Sequence, residues 1–210
     1  MDGQQKISPQ ELFFIGKYMR AQYIDYDYVR LMGDLTRKYS LKEKEIMAGL
    51  TDRGLLMEDF SGNMELNEEI RELLEPVFFG GFETEVILSI PQNGLIREKF
   101  HYYKERVTGV QVFDPLVFFK DGKSRLDTLK TQAIPETYTG NRKILYARDM
   151  EKIQDAPILV LKNMVMGKRA SGKQFFYYEG TWYEGAALDM AQGLTGEEMD
   201  HVWQAMMQEG

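Results

Sequence analysis

Apolar positions along this chain follow two periods. In the first third they recur every three or four residues. Leu12, Ile15 and Met19 line one face of a segment opened by Ser8-Pro9-Gln10-Glu11. That opening is a capping box with proline at the first helical position, so a helix is predicted over 9–21. Tyr28, Met32, Leu35 and Tyr39 mark a second helix over 27–38, and Ser40-Leu41-Lys42-Glu43 opens a third, over 41–52. Ile70, Leu73, Leu74 and Val77 follow the i, i+3, i+4, i+7 rule after Asn67, with Glu68 and Glu69 at the positive dipole end. Pro76 is expected to stop that helix. Between the third and fourth helices, Leu-Leu-Met-Glu-Asp-Phe and Asn-Met-Glu-Leu flank Ser61-Gly62 and predict a short strand pair.

Past Gly80-Gly81 the period becomes two. Val86, Leu88 and Ile90 alternate with Glu85, Ile87 and Ser89. Pro91-Gln92-Asn93-Gly94 reads as a turn, and Ile96 to Arg106 as the next strand. Thr108-Gly109 is expected to reverse the chain. Asp114-Pro115 is expected to break a strand that Leu116 to Phe119 continues, before a short helix over 124–131. The last third predicts strands over 158–165, 174–179 and 181–183, a polar loop at Gly167–Gly172, and a helix opened by the capping box Thr195-Gly196-Glu197-Glu198. The fold class is therefore α+β: a twisted antiparallel sheet with flanking helices and an N-terminal winged-helix-like helical subdomain. No low-complexity linker divides it. We read 1–210 as one domain, with a helical subdomain over 1–80 and a β-rich subdomain over 81–210 that ends in a closing helix.

Composition changes this picture only by exclusion. The chain has 210 residues and no cysteine, so disulfides, zinc-thiolate sites and thiol nucleophiles are ruled out. The N-terminus lacks the apolar run of a signal peptide, and no stretch reaches the length of a membrane span, which predicts a cytoplasmic protein without membrane insertion. Net charge is −7, and residues 1–82 carry 10 Lys and Arg against 15 Asp and Glu. The third helix would be the reader of a winged helix, yet Lys42, Glu43, Lys44 and Glu45 sum to zero. An acidic first third opposes a phosphate backbone, so no nucleic acid partner is expected.

Candidate chemistry is sparse. Gly167-Lys168-Arg169-Ala170-Ser171-Gly172-Lys173 matches the phosphate-binding G-x-x-x-x-G-K pattern, but Gln174 stands where a magnesium-binding hydroxyl is required. The residues that follow read as strand, whereas the motif must open a helix. His101 and His201 have neither metal-ligand nor triad spacing, and Glu68, Glu69, Glu72 and Glu75 form a solvated helix face. No catalytic residue, metal site or cofactor is predicted, and an enzyme anchored on 167–173 is the weakest reading. The adjacent aromatics Phe78-Phe79, Phe118-Phe119 and Phe175 to Tyr178 are more informative. Neighbours in a strand point to opposite faces, so each pair either lies in a sheet covered on both sides or sends one ring to a partner surface. Tyr102, Tyr103, Phe118 and Phe119 are the candidate partner-binding residues, with Phe118 or Phe119 joined by Tyr102 or Tyr103 on a neighbouring strand.

The order of segments carries a resemblance. Glu11-Leu12 opens the first helix, and Leu50-Thr51-Asp52-Arg53-Gly54-Leu55 closes a later one. A short acidic connector, a helix ending before proline at Leu73-Leu74-Glu75-Pro76, a β-meander, and Gly180-Thr181-Trp182-Tyr183 before the closing helix complete the series. Over most of its length the chain resembles the EspG family, the cytoplasmic chaperones of type VII (ESX) secretion, while being shorter and lacking the family's longer central insertions. The resemblance implies a non-enzymatic chaperone or adaptor that binds the apolar tip of a helical secreted protein, or protein pair, through the central sheet, its hairpin loops and the C-terminal helices. The alternative is a winged-helix DNA-binding regulator with a β-rich effector domain.

Overall fold

The computed structural model describes residues 4–32, 39–91, 94–146, 149, 153, 155–185 and 190–208. Helices and a large antiparallel sheet make an α+β protein, arranged as two compact units. The first comprises Met1–Gly81 and His101–Gly122, the second Phe82–Phe100 and Lys123–Gly210.

In the first unit, β1 (Gln4–Ile7), β7 (Leu116–Phe119), β6 (Arg106–Gln111) and the end of β5 (Gly94–Tyr103) lie side by side in that order. Helices α1 (Pro9–Met19), α2 (Tyr26–Leu31), α3 (Tyr39–Asp52) and α4 (Glu68–Phe79) accompany them, with a separate two-stranded hairpin, β2 (Leu56–Glu58) and β3 (Met64–Leu66). Leu12 and Ile15 of α1, Leu50 of α3, Leu74, Val77 and Phe78 of α4, and Ile7, Val110, Leu116 and Phe118 of the strands share one core and are fully buried. Ser8 caps α1 as its sequence requires: its Oγ accepts from Glu11 N at 3.2 Å while Glu11 Oε2 accepts from Ser8 N at 2.8 Å. Asn67 caps α4 through Glu69 N at 2.9 Å. The side chain of Ser40, in the second predicted box, and Leu35 of the second predicted helix lie outside the described residues.

The Arg-Gly-Leu step is a glycine helix stop. Gly54 sits at φ 68°, Gly54 N donates to Thr51 O and Leu55 N to Leu50 O, each at 2.9 Å. These two bonds form a Schellman motif, and its apolar contact joins the buried Leu50 and Leu55. Pro76 does not stop α4, contrary to the sequence expectation. The helix runs on to Phe79, because the lost N–H bond is offset by burying Val77 and Phe78 completely.

Two further boundaries differ. The reversal expected at Thr108-Gly109 falls instead at residues 104–105, where Lys104 takes φ 55°, and Thr108-Gly109 lies inside β6. The steric demand for glycine falls at residue 122, where the chain passes so close to β6 that an added Cβ would stand 2.6 Å from Val107 O and 2.8 Å from Gly109 N. Leu116–Phe119 does not continue β6 but returns beside it, with Gly109 opposite Phe119 and Val110 opposite Phe118.

The second unit has the strand order β5, β4 (Phe82–Ile90), β9 (Ile158–Val165), β10 (Lys168–Tyr178), β11 (Thr181–Glu184), β12 (Met190–Leu194) and β8 (Ile144–Tyr146). Val86 faces Leu161, Leu88 faces Leu159, and Leu159 faces Phe175, which sets these buried residues on one side of the sheet. Helices α5 (Gly122–Ala133) and α6 (Gly196–Gln208) add Leu126, Leu129, Met199, Trp203 and Met206 to the buried set, and Trp182 Nε1 donates to Ala133 O at 2.9 Å. The loop expected at Gly167–Gly172 is mostly strand. Met166 and Gly167, at φ 49° and 73°, make a two-residue hairpin turn, and β10 begins at Lys168. Glu179 and Gly180, at φ 46° and 78°, repeat the device before β11.

The box at Thr195 is formed: Glu198 Oε2 accepts from Thr195 N at 2.9 Å, and Glu198 N donates to Thr195 Oγ1 at 3.3 Å. The Thr195 backbone bond, helped by the Thr195 hydroxyl and Arg142, holds the Glu198 carboxyl below the usual carboxylate range. A depressed carboxyl contributes stability above its unfolded pKa and loses that contribution as pH falls through the folded value. Thr195→Ala is expected to cost about 1 kcal/mol. Glu198→Gln is expected to flatten the fall in melting temperature between about pH 6 and about pH 3. A Gln variant with an unchanged acid limb would show that the box contributes nothing to pH dependence.

Candidate partner-binding surface

Tyr102, Tyr103, Phe118 and Phe119 all lie in the first unit, and side-chain partners assign each a face. Thr108 Oγ1 donates to Leu73 O of α4 at 2.7 Å, so Thr108 and Val110 look toward the helices. Phe118, opposite Val110, shares that face and is fully buried. On β5, His101 Nε2 lies 2.6 Å from the hydroxyl of Tyr28 on α2. Tyr103, two residues on, therefore faces the same way, and its ring meets Phe79 of α4 at 6.3 Å. Lys104 Nζ sits 4.9 Å above the Tyr103 ring. Tyr102 and Phe119 occupy the opposite face, and both are half-buried.

This sorts the four residues into two pairs rather than one patch. Tyr103 and Phe118 join the helix-packed side; Tyr102 and Phe119 share the other. β5 and β7 are not neighbours, because β6 lies between them. The two outward rings are thus two strand spacings apart, roughly 10 Å. Gly109 of β6 faces Phe119 in register and offers no side chain on that face. Phe78-Phe79, read above with the strand pairs, belongs to the last turn of α4, where Phe78 is fully buried.

The second unit holds a groove that sequence reasoning did not find. Ser89, Pro91, Ile153, Asp155, Ala156, Ile158 and Phe176 line about 970 Å³. Ser89 faces Ile158, and Ile158 faces Phe176, so one sheet face supplies three of the lining residues. The Phe176 ring stacks on Tyr183 at 5.5 Å and 14°. Ile158 keeps 37% of its surface exposed. The only sequence signal was the aromatic run 175–178, whose even members take this face while Phe175 is fully buried on the other.

The same face carries a ladder of charges. Glu83 and Lys99 meet at 3.3 Å with both side chains 2% exposed. Glu85 takes Arg97 at 2.6 Å and Lys162 at 2.7 Å. On the opposite face Glu98 is fully buried and receives Arg125 of α5 through Nε and Nη2. Thr84 Oγ1 donates to Asn163 Oδ1 at 3.2 Å beside it. The acid-x-acid run 83–85 and the base-x-base run 97–99 are the sequence signal for this ladder, legible only once the strands are paired.

Lys173, the lysine of the phosphate-loop pattern, pairs with Glu184 at 2.8 Å from the middle of β10, and no helix opens there. His201 is exposed on α6. Among the described residues no group of three or more His, Asp or Glu could hold a metal ion, and no helix is long and apolar enough to cross a membrane.

No protein-family model and no curated protein sequence matches the chain. Its fold does match a solved structure, that of the Mycobacterium tuberculosis type VII secretion system chaperone EspG5 in complex with the PE25-PPE41 dimer. The TM-score is 0.59 over 97% of this chain and 95% of that one, at 8% sequence identity. At that identity the likeness is one of fold.

Proposed function

We propose that this chain is a non-enzymatic cytoplasmic chaperone or adaptor that binds a helical protein, or protein pair, exported by a type VII-like secretion system. The observation that carries the reading is the end-to-end match to a secretion chaperone solved with its protein dimer. Supporting it, aromatic rings stand half-buried on sheet faces. Tyr102 and Phe119 are the members of the original four that meet the partner; Tyr103 and Phe118 support them from the helix-packed side. No cofactor takes part.

Co-expression tests this. The chain is produced with each small helical protein encoded beside its gene, and the products are separated by size. The expected result is one stoichiometric complex in which the helical protein, insoluble alone, becomes soluble. If every neighbour fails to associate, and the chain instead selects one DNA sequence from a genomic-fragment pool at low salt, the chaperone reading is wrong and the regulator takes its place.

A further inference from the structure

The β2–β3 hairpin holds Phe60 out into solvent. It is 114% exposed, the highest among the exposed large apolar side chains of the described residues, and Met57 beside it is 48% exposed. The ring does not ride on a loose loop. Asp59 Oδ1 accepts from Ser61 N and Asn63 N, both at 2.8 Å, and Oδ2 from Asn63 Nδ2 at 3.1 Å. Asp59 N donates to Asn63 O at 2.8 Å, Gly62 N to Asp59 O at 3.0 Å, and Gly62 takes φ 81°. The tip is pre-organised, so a partner would order little on binding. Its charge is one-sided: Glu58, Asp59 and Glu65 surround the ring, and no Lys or Arg occurs from Gly54 to Ile70.

The same unit has a cavity of complementary character. Tyr18, Met19, Arg20, Arg71, Glu75 and Phe79 line about 480 Å³. Tyr18 connects the two features, since its hydroxyl donates to Met64 O on β3. The apolar part comes from Met19, Phe79 and the Tyr18 ring. On the rim, Glu75 is already engaged by Arg106 at 3.0 Å. Arg20 makes no ion pair among the described residues, and Arg71 reaches only the exposed Glu68, at 3.5 Å. The rim is therefore basic where the tip is acidic.

A full exposure of Phe60 means that its ring does not fill the cavity of its own copy. A second copy can fill it. The Tyr18 bond to β3 ties the cavity to the hairpin that carries the ring, and a two-fold axis would let each copy give a ring and receive one. We propose that this chain forms a two-fold dimer in which Phe60 of each copy enters the Tyr18–Met19–Phe79 cavity of the other, with Glu58 against Arg71. Two inserted hairpins make a small interface, of the kind that goes with weak, reversible association. The inference is independent of the chaperone reading, and its test uses the chain without any secretion partner.

Sedimentation of the full chain from about 1 to about 200 µM provides the measurement. Wild type is expected to move from the 24.4 kDa of one chain toward twice that mass across the range. Phe60→Ala should weaken association about tenfold or more while keeping the melting temperature, because the ring touches nothing in its own copy. Glu58→Lys and Arg71→Glu should each weaken it, and the double variant should return close to wild type, which a general charge effect would not produce. Wild type at 24.4 kDa throughout overturns the proposal and leaves the tip to a different protein. Dimers that persist in Phe60→Ala, or a double reversal that fails to recover, overturn it as well.

Discussion

Phe118→Ala should lose roughly 3–5 kcal/mol of stability, while Phe119→Ala should keep the wild-type melting temperature and lose its helical partner. The two residues are adjacent in β7, similar in chemistry and opposite in environment. Phe118 is fully buried beside Val110 in the helix-packed core, so truncation removes apolar burial and leaves a cavity that close-packed neighbours cannot collapse. Phe119 faces the other way, with Gly109 and Gln4 as its cross-strand neighbours. Phe119 is half-buried where Phe118 is fully buried, so truncation there costs the fold less. Tyr102→Ala should behave like Phe119→Ala, and Tyr103→Ala like Phe118→Ala in direction, since the Tyr103 ring packs on Phe79. An aromatic anchor at a binding hot spot is worth about 2 kcal/mol or more. Melting curves and capture assays on the four single variants separate the effects. If Phe119→Ala and Tyr102→Ala melt early and bind at wild-type strength once folded, this face is core and the partner sits elsewhere, with the groove at Phe176 the next place to look.

Arg125→Met should cost roughly 3–5 kcal/mol, enough to leave a domain of ordinary stability partly unfolded. Glu98 has no exposed surface, and Arg125 meets it at 2.9 Å from Nε and 2.5 Å from Nη2. Removing the guanidinium strands a carboxylate in a low-dielectric setting, which costs far more than the pair itself contributes. Arg125→Lys should fall between, because an ammonium cannot match both oxygens at once. The double variant Glu98→Gln/Arg125→Met should recover much of the loss, since no unpaired charge remains. Urea unfolding at neutral pH reads all four proteins. A single variant as stable as wild type would mean that water or another cation compensates Glu98, and the pair would then be dispensable.

What sequence made legible was local. Ser8, Asn67 and Thr195 are capped helix starts because hydroxyl or amide oxygen, acid spacing and apolar period agree within a few residues. Gly54 stopped α3 for the same kind of reason. The errors arose where distant packing overrides local rules. Pro76 stays helical because the residues after it are drawn into the core, and Gly109 stays in a strand because it pairs with Phe119 of β7. β1, β8 and β12 were not foreseen at all. Gln-Gln-Lys-Ile, Ile-Leu-Tyr and Met-Ala-Gln-Gly-Leu carry too short a pattern to show a period, and β1 finds its partner more than a hundred residues away, in β7. For the candidate surface, alternation placed the two aromatics of each strand pair on opposite faces, but which of them looks toward the helices depended on where α2 and α4 pack.

The paired charges on β4, β5 and β9 also bear on how the chain avoids misfolding. In this sheet a slip of one residue in β4 would turn Glu83 and Glu85 onto the side that holds Leu159, Leu161 and Phe175. Two carboxylates would then be buried among hydrocarbon, away from Arg97, Lys99 and Lys162. Hydrophobic strands alone tolerate such slips poorly but do not forbid them; a charge sequence that reads correctly in a single alignment does. The ladder thus acts as an error check on strand pairing, penalising alignments shifted by one residue.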